Sequence, residues 1–388
     1  MKYIDEYRES GQVKALADAI RRTVSRPWNL MEICGGQTHA IARDRLEEML
    51  PPEITLLHGP GCPVCVTPMA FIDQALRLAS RSDVILTTFG DMMRVPGSRE
   101  DLLHAKASGA DVRMLYSPLD AVKLAEENPG KEIIFFAIGF ETTAPVHLMA
   151  LKEAIRKKML NFSLLTSLFR VPPAIEAILS DPDNRVNGFL TAGHVCAITG
   201  NAPYHRLATA YRTPMVVAGF EPVDLLYAIY RCLVQLETGR CEVENAYKRA
   251  VPEQGNPAAR ALMEEMLEPC DQAWRGIGVL PASGLRLKEA YSRFDCLKKW
   301  PVASASSSLT KETACALTLK TKQISADNTP TPYRPVPMPG ECIAGAIMRG
   351  LKQPADCTYF GTTCHPEHPL GAPMVSSEGV CAAYYKYR

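Results

Sequence analysis

Short apolar strand candidates alternate with helical patterns along the first two thirds of the chain, and this alternation constrains the fold most. Strands that recur about every thirty residues with a helix between them are typical of a parallel sheet wrapped by helices. The candidates are Asn29–Ile33, Ile54–Leu57, Asp83–Thr88, Val112–Tyr116, Glu132–Ile138, Phe162–Leu168, Gly188–Thr191 and Met215–Ala218. We therefore predict an α/β protein with two similar parallel-sheet domains that have helices on both faces.

Cysteines and polar residues directly follow several of these strands. Ligands of parallel sheets bind beyond the carboxyl ends of the strands, where the connecting loops gather. The residues at such positions are Cys34, Cys62, Asp91, Glu141, His194 and Glu221. We expect the functional groups there, although Asp91 and Glu141 also suit helix N-caps or first-turn acids and His194 also suits a core histidine.

The predicted domains follow the changes of pattern along the chain. Residues 1–28 predict a helix that packs on the third domain, residues 29–125 a first α/β domain and residues 126–235 a second. Residues 236–388 predict a smaller helical and loop-rich domain, with an irregular Ser-, Thr- and Pro-rich insertion at 301–340. Its cysteine-bearing tail is too short to be held by apolar burial alone, and a metal would supply the missing stability.

Charge and hydropathy exclude several classes of function. The 43 basic and 42 acidic residues leave a net charge of +1, which gives no electrostatic basis for binding nucleic acid or an anionic membrane. No apolar run approaches the about 20 residues of a membrane-spanning helix, and the first residues lack a signal-peptide core, so we expect a cytoplasmic protein. The chain has no Walker loop, no G-x-G-x-x-G after a strand and no G-x-S-x-G, which removes support for nucleotide-dependent and serine-hydrolase chemistry.

The thirteen cysteines are the anomaly of the composition. An odd number in a chain without an export signal is expected to be mostly reduced rather than paired. The segment GPGCPVC at 59–65 places Cys62 and Cys65 as a C-x-x-C where a turn enters a helix, whose amides stabilise thiolate. This pair is a candidate redox dithiol, and the alternatives are half of a zinc site or two inert thiols.

Two further groups of cysteines are candidate ligands. Cys34 opens the segment CGGQTH, where two glycines permit close approach and His39 lies five residues on. Its thiolate could attack an electrophile or hold a soft metal, or Cys34 is only a buried residue in a Gly-rich turn. The tail cysteines, separated by 14, 6 and 16 residues, are Cys342, Cys357, Cys364 and Cys381. Four thiolates suit an iron–sulfur cluster or zinc, and this wide spacing also fits four unconnected cysteines.

The other cysteines are expected to pack as small apolar side chains or to lie without a ligand partner. They are Cys196, Cys232, Cys241, Cys270, Cys296 and Cys315. His365 and His368, on a Pro-rich loop near the tail cysteines, are expected to be solvated.

Six long motifs occur in order along the chain. They are CGGQTH at 34–39, GPGCPVC at 59–65, TTFGDMMRVPGS at 87–98, AIGFETTAP at 137–145, TAGHVCAITG at 191–200 and MVSSEGVCAAYYKYR at 374–388. Together they resemble the HypD family of [NiFe]-hydrogenase maturation proteins, from about residue 2 to 298 and again from 341 to 388, with no alignable counterpart between about 300 and 340. The resemblance implies two similar α/β domains and a third domain that carries a [4Fe-4S] cluster.

The resemblance also implies a function and its partners. Proteins of this family scaffold the assembly of the Fe(CN)2CO group with the small chaperone HypC, receive cyanide from HypE and pass the iron unit to the hydrogenase large subunit. Cys34 matches the iron-binding cysteine, with His39 beside it, and Cys62 and Cys65 match a redox pair. The remaining matches are Asp91, His194 and Glu378 at polar positions needed for function, and Cys342, Cys357, Cys364 and Cys381 as cluster ligands.

Two positions depart from the family pattern. Ala344 stands where the family has the second cysteine of C-x-C-G, and Pro373 stands where it has a cysteine before M-V-S. The leading hypothesis is a metallocofactor-assembly scaffold with a redox component, closer to a chaperone than to a turnover enzyme. The alternatives are an iron–sulfur-dependent protein disulfide oxidoreductase, which has no need of the Cys34 site, and a structural zinc protein.

Overall fold

A computed structural model describes residues 5–301 and 342–388. The strands are β1 (Trp28–Glu32), β2 (Ile54–His58), β3 (Val84–Thr88), β4 (Val112–Met114), β5 (Glu132–Gly139), β6 (Phe162–Phe169), β7 (Gly188–Ala192), β8 (Met215–Ala218), β9 (Val243–Asn245), β10 (Leu267–Trp274) and β11 (Gly278–Leu287). The helices are α1 (Ser10–Thr23), α2 (Gly35–Arg43), α3 (Pro63–Val66), α4 (Met69–Ala79), α5 (Leu102–Ala107), α6 (Pro118–Glu127), α7 (Ala144–Arg156), α8 (Val171–Leu179), α9 (Gly193–Thr199), α10 (Ala202–Tyr211), α11 (Pro222–Glu237), α12 (Pro257–Met266), α13 (Cys296–Lys299), α14 (Ala344–Met348) and α15 (Val380–Tyr387). Short 3₁₀ helices lie at Asp5–Tyr7, Leu46–Met49, Gly90–Arg94, Glu289–Phe294, Pro354–Asp356 and Ala372–Met374.

The first of two compact units combines Met1–Cys65, Val171–Ala261 and Glu341–Arg388. Its sheet has five parallel strands in the order β2-β1-β7-β8-β9. The register pairs Glu32 at the end of β1 with His58 at the end of β2. Because parallel strands end at a common edge, the segments CGGQTH, GPGCPVC and GHVC all leave the sheet at the same edge.

One apolar cluster packs α1, α2 and α11 against this sheet. Ile20, Ile41 and Ile229 are completely buried in it, and each such side chain contributes about 1.5–3 kcal/mol to the free energy of unfolding. The sequence predicts that the N-terminal helix packs on a third domain, and in the structure α1 lies against α11. Helix α11 begins where Pro222 follows Glu221, whose backbone N–H donates to Asp224 Oδ2 at 3.3 Å.

Among the described residues, the second unit combines Val66–Arg170 and residues 262–301. Its sheet has the order β10-β11-β6-β5-β3-β4, in which β6, β5, β3 and β4 are parallel and the β10–β11 hairpin is antiparallel. Phe135, Leu151 and Phe162 are among the buried side chains of its core. Strands β3 and β5 are neighbours, so the segments after Thr88 and Gly139 leave the same edge.

The predicted α/β class is confirmed, with two mostly parallel sheets surrounded by helices. All eight predicted strands are present, and their ends differ by one or two residues at most. The helical and loop-rich domain predicted at 236–388 is wrong in part, because β9, β10 and β11 lie in this range and the sequence does not predict them. None of the helices in the described ranges combines the length and apolar character needed to span a bilayer.

The compact units are assembled from alternating stretches of chain, whereas the sequence predicts consecutive domains at 29–125 and 126–235. Strands β1 and β2 share a sheet with β7, and β3 shares a sheet with β5, because hydrogen-bond pairing decides which strands form a sheet. The tail from residue 342 belongs to the first unit. The predicted insertion at 301–340 lies, from residue 302 onward, outside the described residues.

Candidate functional site

The motif CGGQTH forms the connection from β1 into α2. Cys34 is the N-cap residue of α2, and its side chain is only 2% exposed. A Cβ at Gly61 would lie 2.2 Å from the Cys34 backbone N, and a Cβ at Gly35 would lie 3.2 Å from Cys62 Cβ. The Gly35 N–H also donates to the Gly61 carbonyl at 3.0 Å. The two cysteine motifs therefore interlock, and the close approach requires glycine at both positions.

The imidazole beside Cys34 is that of His194, at the start of α9. Its Nδ1 lies 3.6 Å from Cys34 Sγ, within hydrogen-bond distance for sulfur. Burial lowers the pKa of His194 to about 4, so the ring is neutral at neutral pH. The Phe220 ring packs against it with centroids 5.3 Å apart. A neutral imidazole in this place can accept a hydrogen bond from the thiol.

Opposing effects act on the acidity of Cys34. Burial raises the pKa of the thiol well above its usual value, and the carboxylates of Glu32 and Glu378 raise it further. The backbone N–H groups of Gln37 and Gly36, in the first turn of α2, act in the opposite direction. Burial dominates, so the thiol keeps its proton until a cation displaces it.

Gln37 fixes the start of α2 on the sheet. Its Nε2 donates to the Ala218 carbonyl at 3.0 Å and to the Thr191 carbonyl at 3.3 Å, at the carboxyl ends of β8 and β7. The side chain is completely buried, and its Oε1 has no hydrogen-bond partner among the described residues. The position of Cys34 therefore depends on strands that lie far from it in sequence.

Sequence reasoning missed Glu32 and His58. The Glu32 carboxylate accepts the Cys34 backbone N–H at 2.8 Å, and His58 Nδ1 lies 2.8 Å from the same carboxylate. The sequence contained a signal for both, because Glu32 lies between apolar residues of the predicted strand Asn29–Ile33 and His58 directly follows the predicted strand Ile54–Leu57. A charged side chain in such a run is buried only with a partner.

Cys62 and Cys65 are both thiols in the structure. The Cys65 N–H donates to Cys62 Sγ at 3.3 Å. Burial raises the pKa of Cys65, the neighbouring Cys62 raises it further, and Cys381 and Glu378 add smaller effects in the same direction. A cavity of about 10 Å³ is lined by both thiols together with Pro373 and Glu378. The dithiol and the predicted polar residue Glu378 therefore share one space.

The four tail cysteines come together around α15. Burial raises the pKa of the Cys381 thiol, and the charges of the other three tail cysteines raise it further, which places them within electrostatic range. The Leu370 N–H donates to Cys364 Sγ at 3.4 Å, and a Cβ at Gly371 would lie 2.4 Å from Cys342 Sγ. Within residues 5–301 and 342–388, no group of three or more His, Cys, Asp or Glu side chains is positioned to hold a metal ion.

His39 contacts the tail. Its Nδ1–H donates to the Ser377 carbonyl at 3.0 Å, and its ring meets the Tyr387 ring edge-on with centroids 5.3 Å apart. Glu378, next to Ser377, packs against Gly35 at the start of α2, since a Cβ at Gly35 would lie 2.6 Å from Glu378 Cβ. The tail therefore covers the first turns of α2, and the functional role of His39 stays a prediction.

Asp91 and Glu141 belong to the second unit. Asp91 lies in the 3₁₀ helix after β3, and the buried Glu141 follows β5, the neighbouring strand. The two acids leave the same edge of that sheet, and their functional roles stay predictions. Glu221 is the N-cap residue of α11, in the first unit.

The other described cysteines agree with the expected packing in part. Cys196, Cys232 and Cys296 are completely buried. Cys270 is partly exposed, and so is Cys241, whose thiol donates to the Arg212 carbonyl at 3.0 Å. Cys315 lies outside the described residues. His368 is exposed and His365 is half-buried.

Comparison with known families gives a match along almost the whole sequence. The family model HypD, described as "Hydrogenase formation hypA family", matches residues 11–330 and 325–388. The chain belongs to the HypD family. The predicted break in the family resemblance between residues 298 and 341 is wrong, because the HypD match continues through this segment.

Individual HypD proteins support the same conclusion. The chain is 45% identical to the hydrogenase maturation factor HypD2 of Bradyrhizobium diazoefficiens, over 100% of this chain and 97% of that protein. It is 44% identical to HypD of Rhodobacter capsulatus and 40% identical to HypD of Escherichia coli, each over 100% of this chain and 98% of the relative. These relatives are named for hydrogenase maturation, and none of these names supports the disulfide oxidoreductase alternative.

Proposed function

We propose that this chain is a scaffold and redox protein for assembling the Fe(CN)2CO unit of [NiFe]-hydrogenase. Its partners are a HypC-type chaperone and a HypE-type cyanide donor, and the hydrogenase large subunit receives the iron indirectly. The observation that carries the proposal is the interlocking of the Cys34 loop with the Cys62–Cys65 loop through Gly35 and Gly61. A metal-holding thiol beside a pair of redox thiols suits a reaction that attaches ligands to iron and reduces them.

Iron is the cargo in this proposal, and Cys34 holds it. Low-spin iron with cyanide and carbonyl prefers soft thiolate ligands, and a second thiolate comes from the partner chaperone. Iron binding must release the thiol proton, and His194 Nδ1, 3.6 Å from Sγ, can relay it towards solvent but, with a pKa of about 4, does not keep it at neutral pH. The burial of Cys34 keeps water away from the ligands.

The dithiol supplies electrons in pairs. Oxidation of Cys62 and Cys65 to one disulfide releases two electrons and two protons. The two electrons reduce the carrier-bound cyanide that the HypE-type donor brings to Cys34: the bond between carrier and cyanide breaks, cyanide goes to the iron, and the carrier group leaves with one of the two protons. Glu378, which lines the same cavity, offers a carboxylate that can take up one of the protons.

The donor set of the tail fits a [4Fe-4S] cluster. Cys342, Cys357, Cys364 and Cys381 would hold it, because the first three lie within electrostatic range of Cys381 and four cysteine thiolates are a usual ligand set of such clusters. A four-iron cluster also spaces its thiolates more widely than one metal ion does. When bound, the cluster supplies single electrons. The charge of Cys381 raises the pKa of Cys65, so the dithiol lies within electrostatic range of this ligand set.

The test combines metal analysis with infrared spectroscopy on protein purified anaerobically with a HypC-type partner. We expect about five iron per chain, four in the cluster and one at Cys34, with about four acid-labile sulfide, broad absorbance near ~400 nm, and cyanide and carbonyl bands. Cys34→Ser should abolish the infrared bands and keep the cluster absorbance, whereas Cys357→Ser should abolish the cluster absorbance. Cys241→Ser is the matched control, because a serine hydroxyl can also donate to the Arg212 carbonyl, and it should keep both signals.

Two results would contradict the proposal. Bound zinc without sulfide would reduce the tail to a structural clasp and remove the electron supply. Loss of cluster absorbance in Cys34→Ser would show that the two sites are not separable.

A further inference from the structure

A buried carboxylate lies directly beneath the Cys34 loop. Glu32 is completely buried, and its two oxygens receive donors from both ends of the first turn of α2. Oε2 accepts the Cys34 backbone N–H at 2.8 Å, and Oε1 accepts the Thr38 hydroxyl. An ionised acceptor holds such donors about twice as strongly as a neutral one. Glu32 therefore clamps the turn that presents the Cys34 thiol.

His58 and Tyr384 hold Glu32 from the other side. His58 Nδ1 lies 2.8 Å from Glu32 Oε1, and its Nε2 lies 2.6 Å from the Tyr384 hydroxyl. That hydroxyl donates to the Glu47 carboxylate at 2.9 Å, and Arg388 pairs with Glu47. His58 is buried like Glu32, so water does not replace these bonds when one of them is lost.

The last member of this chain of hydrogen bonds lies on α15. Tyr384 is three residues after Cys381, about one helical turn away. Helix α15 thus contributes one side chain to His58 and another to the tail thiols. We propose that Glu32 is the positioning residue of Cys34, and that the buried chain Glu32–His58–Tyr384 links the Cys34 loop to the helix that carries Cys381. The functional role of this positioning rests on the proposed function, in which the Cys34 thiol holds iron.

The test measures how fast iodoacetamide alkylates Cys34 in the reduced, full-length protein, by mass spectrometry of its peptides. Glu32→Gln keeps the shape of the side chain, removes its charge and turns an amide NH2 towards the donors. Cys34 should then be alkylated at least about tenfold faster. Thr38→Val, which removes one of the bonds to Glu32 and keeps its charge, should also accelerate the reaction, whereas acceleration in Glu32→Gln alone would only report the effect of that charge on the Cys34 thiol. Tyr384→Phe removes only the distant hydroxyl and should accelerate the reaction about threefold.

Two controls separate positioning from general loosening. Glu237→Gln is the matched variant, because the Glu237 carboxylate accepts the Ser25 N–H and the Trp28 Nε1–H, both at 2.8 Å, at the opposite end of β1. It should leave the Cys34 rate unchanged. Cys232, completely buried in the core of the same unit, is the internal reference and should keep its rate in every variant.

Each contrary outcome overturns a stated part of the inference. An unchanged Cys34 rate in Glu32→Gln would remove the positioning role, and an unchanged rate in Tyr384→Phe would remove the link to α15. A parallel increase at Cys232 would mean that the unit opens as a whole, which also removes the positioning role. Because alkylation needs no iron, the result stands or fails independently of the infrared test of the proposed function.

Discussion

Each unit contains one histidine whose pKa burial lowers to about 4, and the two differ in their neighbours. In the second unit, His147 Nε2–H donates to the Ile138 carbonyl at 3.0 Å, and its ring packs near Phe135. In the first unit, His194 Nδ1 faces the Cys34 thiol at 3.6 Å. The lowered pKa reports burial in both cases. Only the partner atom separates a histidine that packs from one that can take part in chemistry.

The carboxyl edges of the two sheets differ in a similar way. In the first unit, glycines bring two thiol-bearing loops into contact. In the second unit, the segments TTFGDMMRVPGS and AIGFETTAP carry Asp91 and Glu141 and contain no cysteine. The architecture is shared, so the difference in chemistry lies in the loops that each sheet presents.

The largest loss of stability is expected at Gly61, where the Cys62–Cys65 loop packs against the backbone of Cys34. In Gly61→Ala, the new Cβ would lie 2.2 Å from the backbone N and 2.4 Å from the Cα of Cys34, which cannot move independently. We expect a loss of about 3 kcal/mol in the free energy of unfolding, measured by urea denaturation. Gly130→Ala in the second unit, with nothing within 4 Å of its Cβ, is the control and should change it by less than about 0.5 kcal/mol. A stable Gly61→Ala protein would show that the loops do not interlock.

An intermediate effect is expected from the histidine of the second unit. Burial lowers the pKa of His147 from 6.5 to about 4. Between these two pH values the imidazole is therefore protonated in the unfolded chain and neutral in the folded protein. Stability from this group is therefore complete above about pH 7 and is lost as the pH falls towards 4. Between pH 7.5 and 5, the wild type should lose about 2 kcal/mol more than His147→Phe.

Urea denaturation at both pH values measures this difference. The contribution of His194 is common to the two proteins and cancels in the comparison. Equal acid sensitivity in wild type and variant would mean that His147 is solvated or protonated in the folded protein, and the contrast between the two histidines would then fail.

The smallest loss of stability is expected at Gln37, whose side chain bonds α2 to its sheet. Gln37→Leu removes the donor to the Ala218 and Thr191 carbonyls and also removes the unsatisfied Oε1. Because these changes oppose each other, we expect a net loss of about 1 kcal/mol in the free energy of unfolding. A variant more stable than the wild type would show that these hydrogen bonds do not hold α2 in place.

The predictability of the strands follows from their burial. Strand β5 is a continuous apolar run, EIIFFAIG at 132–139, as expected for a strand with both faces covered. Strand β10 shows no such run, because an irregularity between Cys270 and Gln272 shifts its register and breaks the alternation of side chains. Strand β9 has three residues, all partly exposed at the edge of its sheet, and gives too short a pattern to detect.

The sequence by itself determined the kinds of chemical group and their local turns: a cysteine followed by two glycines at the end of a strand, a C-x-x-C entering a helix, and a tail with four cysteines. Only the tertiary structure decided which groups meet. His39, five residues from Cys34, donates to the Ser377 carbonyl, whereas His194, 160 residues away, stands beside the thiol. The physical reason is that pairing of β1 with β7 brings the carboxyl ends of distant strands to one edge, and spacing along the chain does not encode that pairing.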